Sequence, residues 1–520
     1  MKKLFSIVLS LLMVMTLLAG CGNGNKSSGT RKGDADTLYV ANDADAISLD
    51  PMGTNDNSSS KVLVQIYEGL FELNDKAEEV PLLAESYDKI SDTEYVFHLR
   101  KGVKFHNGEE MKASDVVFSL KRACEAPNVK HLFNTIDEDS IKADDDYTVR
   151  FNLKFAYPGI IASLMHPGGS ILCQKFVEAA GDSYGTSTDK VCGTGPFKLD
   201  EWSKANAIKL SRNEDYYGEK AKMAKVEYKI IPEPTNRLVE LQTGGADIVY
   251  ELQPMDVEKI EKDENLVMLK SDDYGTTYLG FNTQKAPFDN PKVRQAIAYA
   301  IDIPDLIPKV WLGLGKAASN SMPPTLVYSI GGETKPKERD VEKAKALLAE
   351  AGYPNGFDTS ISTNERKQRV DMATIIKEQL KEVGINVTIN VMEWSAFNDV
   401  LKNAKQDMFE IAWNSDTPDP DAFLFPCFHS SAKGEGGNYC WLEDPQMDKL
   451  LDDARQELDQ TKRAEIYKKA QEYILDNQIW IPEYWSELTA ATSKNVEGFE
   501  MNHFGFYKLS KVSVKTAENK

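Results

Sequence analysis

One predominantly apolar run, Leu4 to Leu18, opens the chain behind Lys2 and Lys3, and nothing comparable recurs in the 520 residues. A membrane-spanning helix needs about 20 apolar residues, whereas a short positive start and a shorter apolar core make a secretory signal peptide. The rest of the chain is therefore expected to be exported and to bury its apolar side chains in cores of its own. Residues 1–20 are read as the signal peptide and 21–35 as a flexible tether, because GNGNKSSGTRKGDAD after Cys21 is polar and without apolar periodicity.

The run closes in Leu18-Ala19-Gly20-Cys21, which resembles the lipobox of bacterial lipoproteins. That resemblance implies that Cys21 is acylated and becomes the mature amino terminus. Each buried lipid methylene contributes about 0.8 kcal/mol, so two or more chains hold firmly. The expected location is extracytoplasmic, anchored to the cell membrane by a lipid on Cys21.

Single cores stop growing at roughly 250–300 residues, so 520 residues imply two or three domains. The formal charge of -20 argues against nucleic acid as a partner, since a phosphate backbone would repel it. Beyond Cys21 stand Cys124, Cys173, Cys192, Cys427 and Cys440, an odd number. Spacing alone allows bridges Cys427 to Cys440 and Cys173 to Cys192, and leaves both open.

Strand and helix signals alternate, which points to an α/β architecture. Tyr95 to Arg100, a Lys101-Gly102 turn, Val103 to Phe105 and an Asn107-Gly108 turn read as a hairpin. Ser114 or Asp115 is expected to cap a helix with Val116, Val117 and Leu120 on one face. Asn290-Pro291 starts a helix carrying Val293, Ala296, Ile297 and Ala300, and Asp340 and Gly352 bracket another. The stripe Met372, Ile376, Leu380 and Val383 stops at Gly384 and passes into a strand over 385–391. Residues 444–478 read as mainly helical and 479–484 as extended.

Enzyme signatures are lacking. His98, His106, His131, His166, His429 and His503 are scattered, with neither HExxH nor a pair at i, i+4, so no metal site is expected. Gly193-Thr194-Gly195-Pro196 lacks the lysine of a phosphate loop, and Pro196 removes an N–H that such a loop would use. There is no G-x-S-x-G elbow. Binding is favoured over catalysis, and no cofactor is expected.

Ordered blocks along most of the chain carry a family resemblance. They are SLDPMGTNDNSSSKVLVQIYEGL, PLLAESYDKISDTEYVFHLRKGVKFHNGEEMKASDVVFSLKRA, GTGPFKLDEW, RNEDYY, LGFNTQKAPFDNPKVRQAIAYAID and WNSDTPDPDAFLFPCF. With them the chain resembles the oligopeptide- and dipeptide-binding proteins of bacterial ABC importers, a family that includes nickel and sugar binders. The resemblance implies a type II periplasmic-binding-protein-like α/β fold, two hinged lobes with an extra domain inserted in the first. Lobe I would take 36–67, 190–283 and 488–515, the inserted domain 68–189, and lobe II 284–487, with hinges near Asn282 and Glu487.

The implied partners are a peptide and the permease subunits of an ABC importer, for a protein expected to act as a monomer. In peptide-binding relatives an aspartate shortly after a tryptophan holds the ligand's α-ammonium, which matches Asp416 after Trp413. Trp413 and Trp394 stand where relatives line side-chain pockets, and Asn55, Asp56 and Asn57 match the stretch whose backbone pairs with an extended peptide. One departure is visible. Counting back from Trp394 to the position where dipeptide binders carry an arginine lands on Thr363, with Arg366, Lys367 and Arg369 nearby. An oligopeptide is thus expected over a strict dipeptide. The competing readings are a nickel chelate or an oligosaccharide as solute, or a peptide-sensing adaptor.

Overall fold

The computed structural model describes residues 31–74 and 78–515. The signal peptide and Cys21 lie outside them. Among the described residues, 11 strands form one mixed sheet. At one end, Thr37–Asn42 lies parallel to both Lys225–Ile230 and Ile248–Tyr250. At the other, Asp358–Asn364 lies parallel to both Asn386–Met392 and Met408–Asn414. Parallel neighbours need a crossover, and the helices Pro234–Gln242 and Lys367–Lys381 supply it. A separate four-stranded sheet is built from residues between Ala84 and Leu153.

Two long antiparallel strands, Leu266–Phe281 and Trp480–Ser493, join the two ends. Their pairing slips between Asp272 and Thr276, and from Gly275 onward the first also pairs with Met408–Asn414. The crossing point is therefore at 272–276, opposite Glu487, which bonded to Asp272 in the ladder marks the last position before the slip. The expected hinge at Asn282 is corrected. Asn282 is buried inside lobe II, donating to the carbonyls of Ala404 at 3.0 Å and Gln406 at 3.1 Å.

Lobe II shows why its sheet reads as nearly continuous apolar strand. Leu279, Ile361 and Met408 face one core with the helices Pro291–Ala300 and Lys367–Lys381, while Tyr278, Phe409 and Ile411 face a second with Phe423, Tyr467 and Trp480. A sheet covered on both faces is apolar on both. Its helices begin where the caps stand. The side chains of Asn290, Asp340, Asp444 and Asp459 accept from the backbone N–H groups of their own first turns. Each such cap is worth about 1 kcal/mol.

Three further expectations change. Glu94–Leu99 does not turn back onto 103–105. It pairs on its two sides with Ala84–Lys89 and Thr148–Leu153, leaving only a bridge from Lys104 to Glu110 around the Asn107-Gly108 turn. The following helix, Ala113–Glu125, starts before either expected cap, one residue ahead of Ser114 and two ahead of Asp115. Lys112 is its first boundary residue, and the Asp115 carboxylate accepts from the Lys112 N–H at 2.9 Å. The end of the expected tether is docked: Arg31 makes a two-pronged pair with buried Asp247, at 2.7 and 2.9 Å.

All five described cysteines are free, so neither bridge allowed by spacing is formed. Within each pair the thiols lie near enough to influence one another, but burial pushes all four up and disfavours the thiolate that bond formation requires. Cys440 instead donates to the Ile479 carbonyl at 3.6 Å, and Cys173 accepts from Asn107 at 3.6 Å.

Candidate functional site

Asp416 follows the strand Met408–Asn414 in a turn that its neighbours hold rigidly. The Ser415 N–H donates to the Tyr274 carbonyl on the first crossing strand at 3.2 Å, and the Ser415 hydroxyl donates to the Thr417 carbonyl at 2.7 Å. Beyond the turn, Asp419 is gripped by both terminal nitrogens of Arg463 and Asp421 by Arg455. Those two carboxylates are structural, and Asp416 is the one left facing the space between the lobes.

Two other parts of the molecule converge on it. From lobe I, Asn55 Nδ2 approaches Asp416 Oδ1 at 3.4 Å; from the 68–189 segment, His131 Nε2 lies 2.9 Å from Oδ2. An ionised carboxylate only accepts, so the imidazole donates from Nε2. Asp416 keeps 28% side-chain exposure. Burial pushes its carboxyl up, but the His131 hydrogen bond, the neighbouring His166 and Asn55 outweigh this and hold it below the ordinary 3.8. It is an anion at neutral pH.

His166 stands beside this pair at the end of the helix Ile160–Met165 and is 8% exposed. Burial, with some contribution from His131, pushes its imidazole down to about 4 despite the opposing pull of Asp416. It is neutral, and its Nδ1 accepts from the Gly168 N–H at 3.0 Å. Asp416 and His166 both border a cavity of about 570 Å³ that also reaches Glu68, Phe71, Tyr274 and Phe504.

The other expected site residues divide. Asn57 Nδ2 donates to the Phe504 carbonyl at 3.2 Å, fixing a segment that walls the cavity. Asp56 caps the helix Asn57–Ile66, accepting from the Ser59 N–H at 2.9 Å and the Thr54 hydroxyl at 2.5 Å. Its side chain thus serves the helix, a role separate from the main-chain pairing expected of this stretch. Trp413 packs its ring against Gly437, where a Cβ would come within 2.6 Å of it, and belongs mainly to the lobe II core. Trp394 is 48% exposed, with the Arg369 guanidinium 6.0 Å from its ring centre. Neither tryptophan borders the cavity around Asp416.

Of the basic residues near Thr363, Arg366 and Lys367 are exposed and Arg369 is buried, donating to Asn364 at 3.1 Å. Thr363 itself is fully buried. Sequence reasoning missed His131, His166, Tyr274 and Phe504. No periodicity or motif marks them, since His131 reaches Asp416 across 285 residues of chain. Among the described residues no three His, Cys, Asp or Glu side chains form a group able to hold a metal ion, and no helix is long and apolar enough to cross a membrane.

Comparison with known proteins adds a family to this geometry. Residues 78–435 match the model of the bacterial extracellular solute-binding proteins, family 5, middle region. Heme-binding protein A of Haemophilus influenzae is 33% identical over 89% of this chain and 88% of its own. The glutathione-binding protein GsiB of Escherichia coli K12 is 30% identical over 89% of this chain and 92% of its own. The structure of the periplasmic binding protein DppA from Helicobacter pylori, in complex with the peptide STSA, superposes with a TM-score of 0.82 at 32% identity. That match covers 92% of this chain and 98% of the other.

Proposed function

Because the chain belongs to the family 5 bacterial extracellular solute-binding proteins, which deliver solutes to ABC importers, we propose that it captures peptides by their amino-terminal ammonium. Asp416 carries this reading. The relatives are named for heme, for glutathione and for a peptide complex. Of these, the solutes bearing a free ammonium suit an ionised carboxylate at the meeting point of both lobes. A charge-assisted hydrogen bond there is worth about 1.5–3 kcal/mol. Since Asp416 sits on lobe II and Asn55 on lobe I, a ligand touching both favours the closed form by its differential affinity for that form.

An oligopeptide fits better than a strict dipeptide. Thr363 occupies the position matched to the carboxylate-binding arginine of dipeptide binders, and Arg369, the nearest buried base, is turned into lobe II beside Glu410 and Glu483. Main-chain pairing and water-filled pockets accept varied side chains. The protein acts as a monomer, tethered to the membrane through acylated Cys21.

Calorimetry with a tripeptide such as Ala-Ala-Ala tests the central claim. Asp416→Asn is expected to weaken binding at least tenfold, about 1.4 kcal/mol. Unchanged affinity for a peptide that the native protein binds removes Asp416 from the site. The anchor has its own test: labelled palmitate incorporates into the native protein and is lost with Cys21→Ala.

A further inference from the structure

Resting on the peptide reading, we propose that His131 is a built-in counter-ion for Asp416, displaced by a solute's ammonium and left in place by a solute without one. The cleft then also takes peptides whose amino end is acylated. Of the groups that hold Asp416 ionised, Asn55 makes only a long contact at 3.4 Å, and His166 bonds within its own turn to the Gly168 N–H. The bond from His131 Nε2, at 2.9 Å, is the short one. A protonated imidazole offers a carboxylate what an ammonium offers, a positive charge and an N–H donor.

The backbone that carries this ring is fixed, while the ring itself is free to leave. The helix Lys130–Phe133 is one turn long and is moored by Leu132 and Phe133, both buried in the core that 68–189 shares with lobe I. Just before it, Val129 packs so closely on Gly168 that a Cβ there would come within 2.7 Å of it. His131 lies on the open side of the turn with 49% of its side chain exposed. Its bond to Asp416 is the only hydrogen bond its ring makes among the described residues. Rotation about the side-chain bonds therefore carries the ring into solvent without disturbing the helix.

The ion pairs just beyond the Asp416 turn are built differently. Arg463 grips Asp419 through two bonds with both partners almost wholly buried, and Arg455 and Asp421 are largely buried as well. Neither pair is open to exchange with a solute. The His131–Asp416 pair has one bond, and both partners keep contact with solvent. It also crosses from the 68–189 segment to lobe II, so it forms as the two sides of the cleft come together. An anion carried into a closing cleft without a partner opposes closure. A solute's ammonium is one such partner, and His131 is the other when the solute has none.

Calorimetry with Ala-Ala-Ala and N-acetyl-Ala-Ala-Ala on the native protein and on His131→Ala tests this. In the native protein acetylation is expected to weaken binding less than tenfold. In His131→Ala the acetylated peptide is expected to lose at least a further tenfold, while the free peptide binds as tightly as before or tighter. A ring that only supported the fold would shift both peptides together and leave the gap between them unchanged. His131→Asn, whose side chain is shorter, serves if the first variant melts early. A native gap above tenfold, or a gap that neither variant widens, overturns the counter-ion and leaves the peptide reading standing. If neither peptide binds the native protein, the peptide reading falls and the counter-ion with it.

Discussion

The imidazole of His131 donates to the carboxylate of Asp416 at 2.9 Å, joining the 68–189 segment to lobe II across the cleft. The Asp416 carboxyl is held below the ordinary 3.8. A depressed acid contributes stability that is complete above the unfolded value and is lost as pH falls through the folded one. The native protein is therefore expected to lose this contribution below about pH 4. His131→Ala removes the largest favourable cause and should flatten that acid limb. Melting temperatures from pH 5 down to 2.5 check it, and an identical acid limb in both proteins argues against the coupling.

A second prediction concerns the base of the Asp416 turn. Asp419 and Arg463 are both almost wholly buried and bonded through two contacts, at 2.7 and 2.8 Å. Removing one partner strands a buried charge. Asp419→Ala or Arg463→Ala is expected to destabilise lobe II by about 3–5 kcal/mol, read from urea unfolding. A loss below about 1 kcal/mol, the range of exposed pairs, would mean water reaches the site.

Two carboxyls inside lobe II act in the opposite sense on pH. Glu410 and Glu483, both fully buried, stand on strands either side of Leu266–Phe281. Burial pushes both up, Glu410 to about 7, with the Arg369 guanidinium opposing the rise. A raised acid stabilises below its unfolded value, and that contribution is lost as pH rises through the folded one. Stability from this pair is thus expected to fall between about pH 4.5 and 7. Glu410→Gln should lessen the drop in melting temperature from pH 5 to pH 8, measured against the native protein. An unchanged drop rules out the pair as its source.

The thiols give a fourth test. Denatured without reductant, the chain beyond Cys21 is expected to alkylate at Cys124, Cys173, Cys192, Cys427 and Cys440, five sites by peptide mass spectrometry. In the folded protein the buried four should react slowly, because burial opposes their thiolates. Recovery of either Cys427–Cys440 or Cys173–Cys192 as a disulfide contradicts the structure.

How much of this was legible beforehand depended on distance along the chain. The Asn290 and Asp340 caps act within three residues of themselves, so a reading of neighbours finds them. The helix and strand flanking Gly384 were equally plain from periodicity. The strand Glu94–Leu99 was seen, but its partners were misassigned to 103–105. An extended segment advertises its unmet backbone groups without saying which distant strand will meet them.

The same division runs through the site. From sequence alone came the α/β alternation and the family resemblance, because side-chain type and local order carry them, and Asp416 came only as what that resemblance implies. The tertiary structure decided that Asp56 caps a helix while Asn57 holds Phe504, that the strands cross at 272–276, and that His131 and His166 stand beside Asp416. Packing brings together residues hundreds of positions apart, and the hydrogen bonds and charges they then exchange leave no local trace in the order of amino acids.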